Sequence, residues 1–147
     1  MKIEYTIMES NYENALYVEQ MRYKSYGVKD TKKINAEYLE DIVNGDILVF
    51  LCFIDSIPVS ACYISCYKNE LLVEYLFTLQ EYQRKQLYYG KQLLQYILDN
   101  KQLVEEYFNC KFNKSVLYPA NNKLINLYES LGYQVTNLTD IQMTKQL

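Results

Sequence analysis

The sequence predicts one α/β domain, a layered α+β arrangement in which helices pack on a mixed, mostly antiparallel sheet. Three observations support this fold class. The chain has 147 residues, which suits one domain and leaves little room for a second. Three strand-like runs follow one another in its middle, and helical and strand-like segments alternate on either side of them. The predicted order of elements is β-α-α-β-β-β-α-β-α-β.

The first third of the chain predicts one strand and two helices. Residues 2–8 alternate apolar and polar side chains, which is the period of a half-buried strand. From about residue 12 to 23, apolar residues recur at three- and four-residue steps, and Ser10 or Asn11 precedes them as the N-cap. A second, short helix is expected over residues 34–43.

The middle of the chain predicts an antiparallel meander. Residues 47–55, 57–67 and 69–79 are rich in β-branched and aromatic side chains, and short polar breaks separate them. Consecutive strands joined by such short turns pair with one another in antiparallel fashion.

The last third predicts a helix over residues 88–100, a short buried strand ended by Pro119, and a helix over residues 122–131. Asn121 or Asn122 can cap the second of these helices, and Gly132 can supply the left-handed residue that ends it. The remaining residues are expected to form a strand or a hairpin.

Composition excludes several classes of chemistry. The chain has no histidine, so Ser-His-Asp and Cys-His catalysis are excluded within it. Its four cysteines include no C-x-x-C pair, and no metal site is predicted. A net charge of -3 argues against nucleic-acid binding, which needs a basic face.

Two segments resemble motifs of the GNAT (Gcn5-related N-acetyltransferase) family, and together with the element order the resemblance covers nearly the whole chain. Residues 121–133, NNKLINLYESLGY, resemble the family pattern N-x-x-A-x-x-L-Y-x-x-x-G-F/Y, with Leu124 in place of the alanine. Residues 73–94, VEYLFTLQEYQRKQLYYGKQLL, resemble the strand, glycine-rich turn and helix of the family's coenzyme A site. One glycine at most survives there. In the preferred alignment it is Gly90, and Tyr88 stands where the family has its first glycine.

The resemblance implies a fold, a co-substrate and a reaction. Acetyl-CoA would bind beside the central strands, and its acetyl group would pass directly to the amine of a small molecule or peptide. The alternative is a non-catalytic GNAT-like module that binds coenzyme A or another ligand, since the phosphate-binding turn has lost glycine. The altered turn favours the alternative, and the intact second motif favours the enzyme.

Residues of the cofactor site follow from the same matches. The main chain of Phe77, Thr78 and Leu79 would meet the acetyl carbonyl and the pantetheine arm. The turn and the helix start would hold the phosphates, through Arg84, Lys85, Tyr88, Tyr89, Gly90 and Lys91. Arg84 and Lys85 can donate charged hydrogen bonds to phosphate or form an ordinary solvated surface pair. Asn121 would contact the coenzyme or simply cap its helix.

Two residues are candidates for the chemistry itself. Tyr128 matches the family tyrosine that protonates the departing thiolate; as a plain core residue it would only fill the apolar stripe of its helix. Glu74 interrupts an apolar strand and would accept the proton of the amine; its alternative is a salt bridge or a solvent-facing position. Glu70, which a period of two places on the same face, is a weaker candidate.

The acceptor would contact the first two helices and the loop between them, around Arg22, Tyr23 and Tyr26. Its identity is not predicted, and a homodimer is left open. Residues 1–16 lack the apolar stretch of a signal peptide, and no window is apolar enough for a membrane helix, so we expect a cytoplasmic protein without a membrane partner.

Overall fold

The computed structural model describes residues 1–32, 34–83 and 88–147. Within them lie seven strands and five α-helices. The strands are β1 (Ile3–Ile7), β2 (Leu48–Ile54), β3 (Ile57–Tyr67), β4 (Glu70–Thr78), β5 (Lys114–Leu117), β6 (Gln134–Asn137) and β7 (Gln142–Gln146). The helices are α1 (Tyr12–Ser25), α2 (Leu39–Val43), α3 (Tyr89–Asp99), α4 (Lys101–Phe108) and α5 (Ile125–Glu129). No helix among these residues is long and apolar enough to span a membrane.

All seven strands form one sheet in the order β1-β2-β3-β4-β5-β7-β6. Only β4 and β5 run parallel, and every other neighbouring pair is antiparallel. The predicted fold class is therefore confirmed: a mixed, mostly antiparallel sheet flanked by helices. The chain closes with a hairpin, β6–β7, one of the two endings that the sequence allows.

Both faces of the sheet are buried, which explains the nearly unbroken apolar sequence of β2. Alternate residues of β2 point to opposite faces. Leu48 and Phe50 join the core beneath α3, α4 and α5, whereas Val49 and Leu51 join the core beneath α1 and α2. The period of two thus connects one strand to two separate hydrophobic cores.

The helices depart from the sequence expectation in three places. The second helix is confined to Leu39–Val43, since only this stretch places an apolar residue, Ile42, fully in the core. Helix α4 was not predicted, because Asn100 separates it from α3 by a single residue. The helix expected over residues 122–131 begins as a 3₁₀ turn, Asn122–Leu124, capped by Asn121, and becomes α-helical only over Ile125–Glu129. Gly132 follows with φ +96°, as expected for the end of this helix.

Two features of β4 set up the functional site. Strand β5 pairs with β4 only as far as Val73–Leu117, so the sheet splits beyond that point. The register between β3 and β4 also shifts there: Tyr63 faces Tyr75 and Ile64 faces Val73, which leaves Glu74 as an extra residue in a β-bulge. The split opens a gap beside the second half of β4, and the bulge reverses which side chains face each core.

Candidate active site

A cleft of about 490 Å³ occupies the gap where the sheet splits. It runs from the start of α3 past the end of β4 to the end of α1. Its described lining residues are Ser25, Tyr26, Leu76, Phe77, Thr78, Tyr82, Gln83, Tyr88, Tyr89, Gly90, Lys91, Ala120, Asn121, Leu124, Leu127 and Tyr128. Most of this lining is apolar, and Lys91 is its single formal charge among the described residues. A narrow apolar cleft with a cation at one end suits an elongated ligand that carries an anionic group.

The main chain of β4 supplies polar groups to the cleft. The Leu79 N–H donates to the Val59 carbonyl oxygen at 2.9 Å, so the main-chain groups of Leu79 point toward β3. Those of Phe77, two residues earlier, point the same way. The alternation of an antiparallel ladder therefore directs those of Leu76 and Thr78 to the other side, into the gap. Gln83 already reaches the Thr78 carbonyl oxygen through its side-chain Nε2 at 2.6 Å.

The first turn of α3 forms the second wall. Gly90 lies so close to β4 that a Cβ there would approach the Thr78 Oγ1 to 3.2 Å, which explains a small residue at this position. No side chain caps the helix among the described residues, and the N–H groups at the start of a helix can bind an anion. Tyr88 precedes the helix with φ 46° and ψ 53°, the left-handed conformation that favours glycine. This bulky residue is half exposed at the mouth of the cleft.

Tyr128 forms part of the floor of the cleft. It belongs to α5, which Asn121 and Gly132 delimit, and it packs edge-to-face on Tyr133 with ring centroids 6.2 Å apart. Only 6% of Tyr128 is exposed. Burial raises the pKa of its phenol to about 12, and nearby Cys62 adds to the increase. Tyr128 therefore stays protonated at neutral pH, as a proton donor must.

Glu74 lies outside the cleft lining. Its exposed carboxylate borders a separate groove of about 450 Å³, the Glu74 groove, which is lined by Tyr38, Asp41, Gly45, Asp46, Ile47, Ser65, Cys66, Glu74 and Phe108. The Ser65 hydroxyl donates a hydrogen bond to the Glu74 Oε1 at 2.5 Å. Glu70 does not line this groove, and its carboxylate pairs with the Lys114 ammonium at 3.3 Å.

The three residues expected to contact the acceptor have different surroundings. The Arg22 guanidinium is buried, donates to both carboxylate oxygens of Glu19 at 2.8 and 3.1 Å, and has a raised pKa through that pairing. The Tyr23 hydroxyl donates to the Asn35 carbonyl oxygen at 2.8 Å. Tyr26 alone of the three lines the cleft, and more than half of it is exposed.

The structure brings nine of the sequence-predicted residues together on the cleft: Tyr26, Phe77, Thr78, Tyr88, Tyr89, Gly90, Lys91, Asn121 and Tyr128. Leu79, Glu74, Arg22 and Tyr23 lie beyond its lining, and Arg84 and Lys85 lie outside the described residues. Leu76 is the main addition. Counting in steps of two along β4 from Thr78 would have found it, since the two residues present their main chain on the same side.

No family model and no curated protein sequence matches this chain. Solved structures do. The chain is similar over its full length to the PaiA N-acetyltransferase from Thermoplasma acidophilum in complex with coenzyme A, with 22% identity, all of both chains covered and a TM-score of 0.67.

Two further solved structures are similar to the chain. An acetyltransferase of the GNAT family from Streptococcus pneumoniae has 14% identity, with 98% of this chain and 99% of that one covered, and a TM-score of 0.63. The ribosomal-protein-S18-alanine N-acetyltransferase from Escherichia coli has 16% identity, 97% and 94% coverage, and a TM-score of 0.66. At these identities the likeness shows a shared fold, so the GNAT fold expected from the sequence motifs is confirmed.

Proposed function

We propose that this chain, which has the fold of the GNAT acetyltransferases, binds acetyl-CoA in its cleft and transfers the acetyl group to an amine. One observation carries the proposal. The sheet splits beside β4. In the described part of the chain, the split leaves the main-chain groups of Leu76 and Thr78 without a neighbouring strand. These groups lie between Tyr128 and the start of α3. Polar strand edges inside an apolar cleft are costly unless a ligand or water bonds to them.

The described residues suit three parts of acetyl-CoA. The N–H groups at the start of α3 and the Lys91 ammonium suit the pyrophosphate. The edge of β4 suits the amide-bearing pantetheine arm, as an added strand would pair with it. Bound acetyl-CoA supplies an activated thioester carbonyl, and the Leu76 N–H is a main-chain donor directed to the gap where its oxyanion would need stabilisation.

Tyr128 and Glu74 take the two proton-transfer roles in this proposal. Tyr128 holds its proton at neutral pH and lines the cleft, so it can protonate the coenzyme A thiolate as it leaves. Glu74 follows the last β4–β5 pair, Val73–Leu117, and therefore stands where the gap opens. Ser65 fixes its carboxylate, and because that carboxylate borders the separate Glu74 groove, the amine proton would reach it through water.

The acceptor is proposed to be a small-molecule or peptide amine that approaches past Tyr26. The amine acceptor and the cleft can be tested together by incubating the protein with acetyl-CoA and a panel of amines: diamines, aminoglycosides, free amino acids and peptides with free N-termini or lysines. Mass spectrometry should detect an acetylated amine and free coenzyme A in equal amounts. Coenzyme binding without any acetylated product across the panel would favour the alternative, a binding module.

The alternative function, a non-catalytic binding module, is supported by Tyr88, a bulky residue in a left-handed turn where the family has glycine. We propose that Arg84 and Lys85, which lie four and three residues before Tyr88 in the sequence, hold the phosphates in place of the lost glycine approach. Replacing both with alanine should weaken acetyl-CoA binding at least about tenfold, since a charged hydrogen bond contributes about 1–2 kcal/mol. Isothermal titration calorimetry measures the change.

Two variants serve as controls for this experiment. Lys2→Ala with Lys111→Ala removes the same charge from exposed positions outside the cleft lining, and should leave affinity within about twofold. Tyr88→Gly should keep or improve affinity, because glycine adopts the left-handed turn without strain and gives the backbone room. Equal binding by the Arg84/Lys85 double variant and the unmodified protein would assign the two charges to a solvated surface pair.

A further inference from the structure

Cys66 and Cys110 come together in the fold although they are 44 residues apart in sequence. Cys66 lies near the end of β3, and Cys110 follows α4 directly after Asn109. Their sulfur atoms are 3.2 Å apart, a thiol–thiol contact, and both residues are free and partly buried. The other two cysteines, Cys52 and Cys62, are fully buried in the core.

Both residues of this pair line surface hollows. Cys66 borders the Glu74 groove, and Cys110 borders a second hollow of about 480 Å³ with Gln102, Glu105, Glu106, Asn109 and Lys111. A small, uncharged oxidant can therefore approach the pair from either side. By contrast, Cys52 and Cys62 are fully buried in the core, where an oxidant cannot reach them and where burial raises the pKa of their thiols.

The short distance between the two sulfurs suits them to two successive steps. The thiolate is the reactive form of a cysteine, so the sulfur that loses its proton attacks the oxidant first. The other sulfur lies 3.2 Å away, within contact distance to resolve the oxidised one.

We propose that Cys66 and Cys110 form a redox-active dithiol, an oxidation site outside the cleft that hydroperoxides convert into an intramolecular disulfide. One thiol of the pair releases its proton, its thiolate attacks one peroxide oxygen, and the O–O bond breaks. The hydroxide that leaves takes up the released proton, so one sulfenic acid and one water form. The second thiol loses its proton and attacks the sulfenic sulfur, the S–O bond breaks, and the hydroxide that leaves takes up that proton as a second water. Two thiols and one hydrogen peroxide thus yield one disulfide and two waters.

The test uses the full chain and hydrogen peroxide and needs no amine substrate, so its outcome is independent of the proposed acetyl transfer. After oxidation, mass spectrometry of the intact protein should show a loss of about 2 Da. Alkylation and digestion should then yield a cross-linked peptide that joins Cys66 to Cys110. Dithiothreitol should restore both thiols. The oxidised protein should melt about 5–10 °C higher than the reduced protein, because the cross-link restricts the unfolded chain.

Single variants serve as matched controls. Cys66→Ser and Cys110→Ser should each abolish both the mass loss and the rise in melting temperature, and Cys110→Ala repeats the second test without a new polar group. Three results would overturn the proposal: both thiols of the unmodified protein remaining alkylatable after peroxide, separate over-oxidation of the two sulfurs, or a cross-link between two chains in place of one within a chain.

Discussion

Tyr128→Phe should lower the rate of acetyl transfer about 10- to 1000-fold and leave acetyl-CoA affinity nearly unchanged. The variant keeps the ring that packs on Tyr133 and removes only the hydroxyl group that lines the cleft. A positioned general acid contributes a factor of this size, because without it the thiolate must leave unprotonated. The loss should appear in kcat, with the KM for acetyl-CoA unchanged.

The pH dependence provides a second check on Tyr128. Burial raises its pKa to about 12, so the protonated, active form persists through neutral and mildly alkaline pH. The ordinary pKa of tyrosine is 10. If the rate falls as the pH rises toward 10, the fall therefore reflects the titration of a group other than Tyr128. Tyr133→Phe is the matched control: its hydroxyl contacts Ser115 at 2.7 Å in the core, so its loss should affect stability more than turnover. An unchanged turnover rate in Tyr128→Phe would show that the Tyr128 hydroxyl is not the general acid and that the residue has only a structural role.

Glu19→Ala should reduce the free energy of unfolding by about 3–5 kcal/mol, the largest stability effect expected here. Glu19 is fully buried in α1 and accepts four hydrogen bonds: two from Arg22, one from the Tyr63 hydroxyl at 2.8 Å and one from the Tyr38 N–H at 3.0 Å. Without Glu19, the buried Arg22 guanidinium loses its main counter-charge. Among the residues that the structure describes, only the Glu37 carboxylate, at 3.5 Å and half exposed, remains near it.

Urea unfolding followed by circular dichroism measures this effect, and two variants separate its causes. Glu19→Gln keeps the shape and part of the hydrogen bonding, so its cost should be smaller than that of Glu19→Ala. The double variant Glu19→Leu with Arg22→Met removes both charges and should recover much of the lost stability. A loss under about 1 kcal/mol in Glu19→Ala would show that water compensates Arg22 and that the network contributes little.

The sequence predicted the parts of the fold that depend on local pattern. The three central strands agree with the structure within one or two residues, because β-branched runs and short polar turns define them. The Asn121 cap and the left-handed Gly132 were also predicted, since each depends on the chemistry of one residue. The position of the cleft was predicted from the family motifs, which include Tyr128, Gly90 and the end of β4.

The remaining differences arise from contacts that no local pattern encodes. Arg22 was expected to contact the acceptor, but it pairs with Glu19 one helical turn away, beneath Tyr38 and Tyr75. The β-bulge at Glu74, after which the side-chain alternation of β4 reverses between the two cores, was not predicted either. A bulge depends on the pairing of two strands, so the sequence of one strand does not reveal it.

The most direct test of the proposed function is calorimetric titration of acetyl-CoA into the unmodified protein and into Leu124→Trp, which fills the cleft from its α5 side. Leu138→Trp, at an exposed position in the β6–β7 turn, is the matched control. The proposal predicts a micromolar dissociation constant, preserved in Leu138→Trp and weakened at least about tenfold in Leu124→Trp. Absence of binding at millimolar acetyl-CoA, or equal binding by a folded Leu124→Trp variant, would contradict acetyl-CoA binding in this cleft.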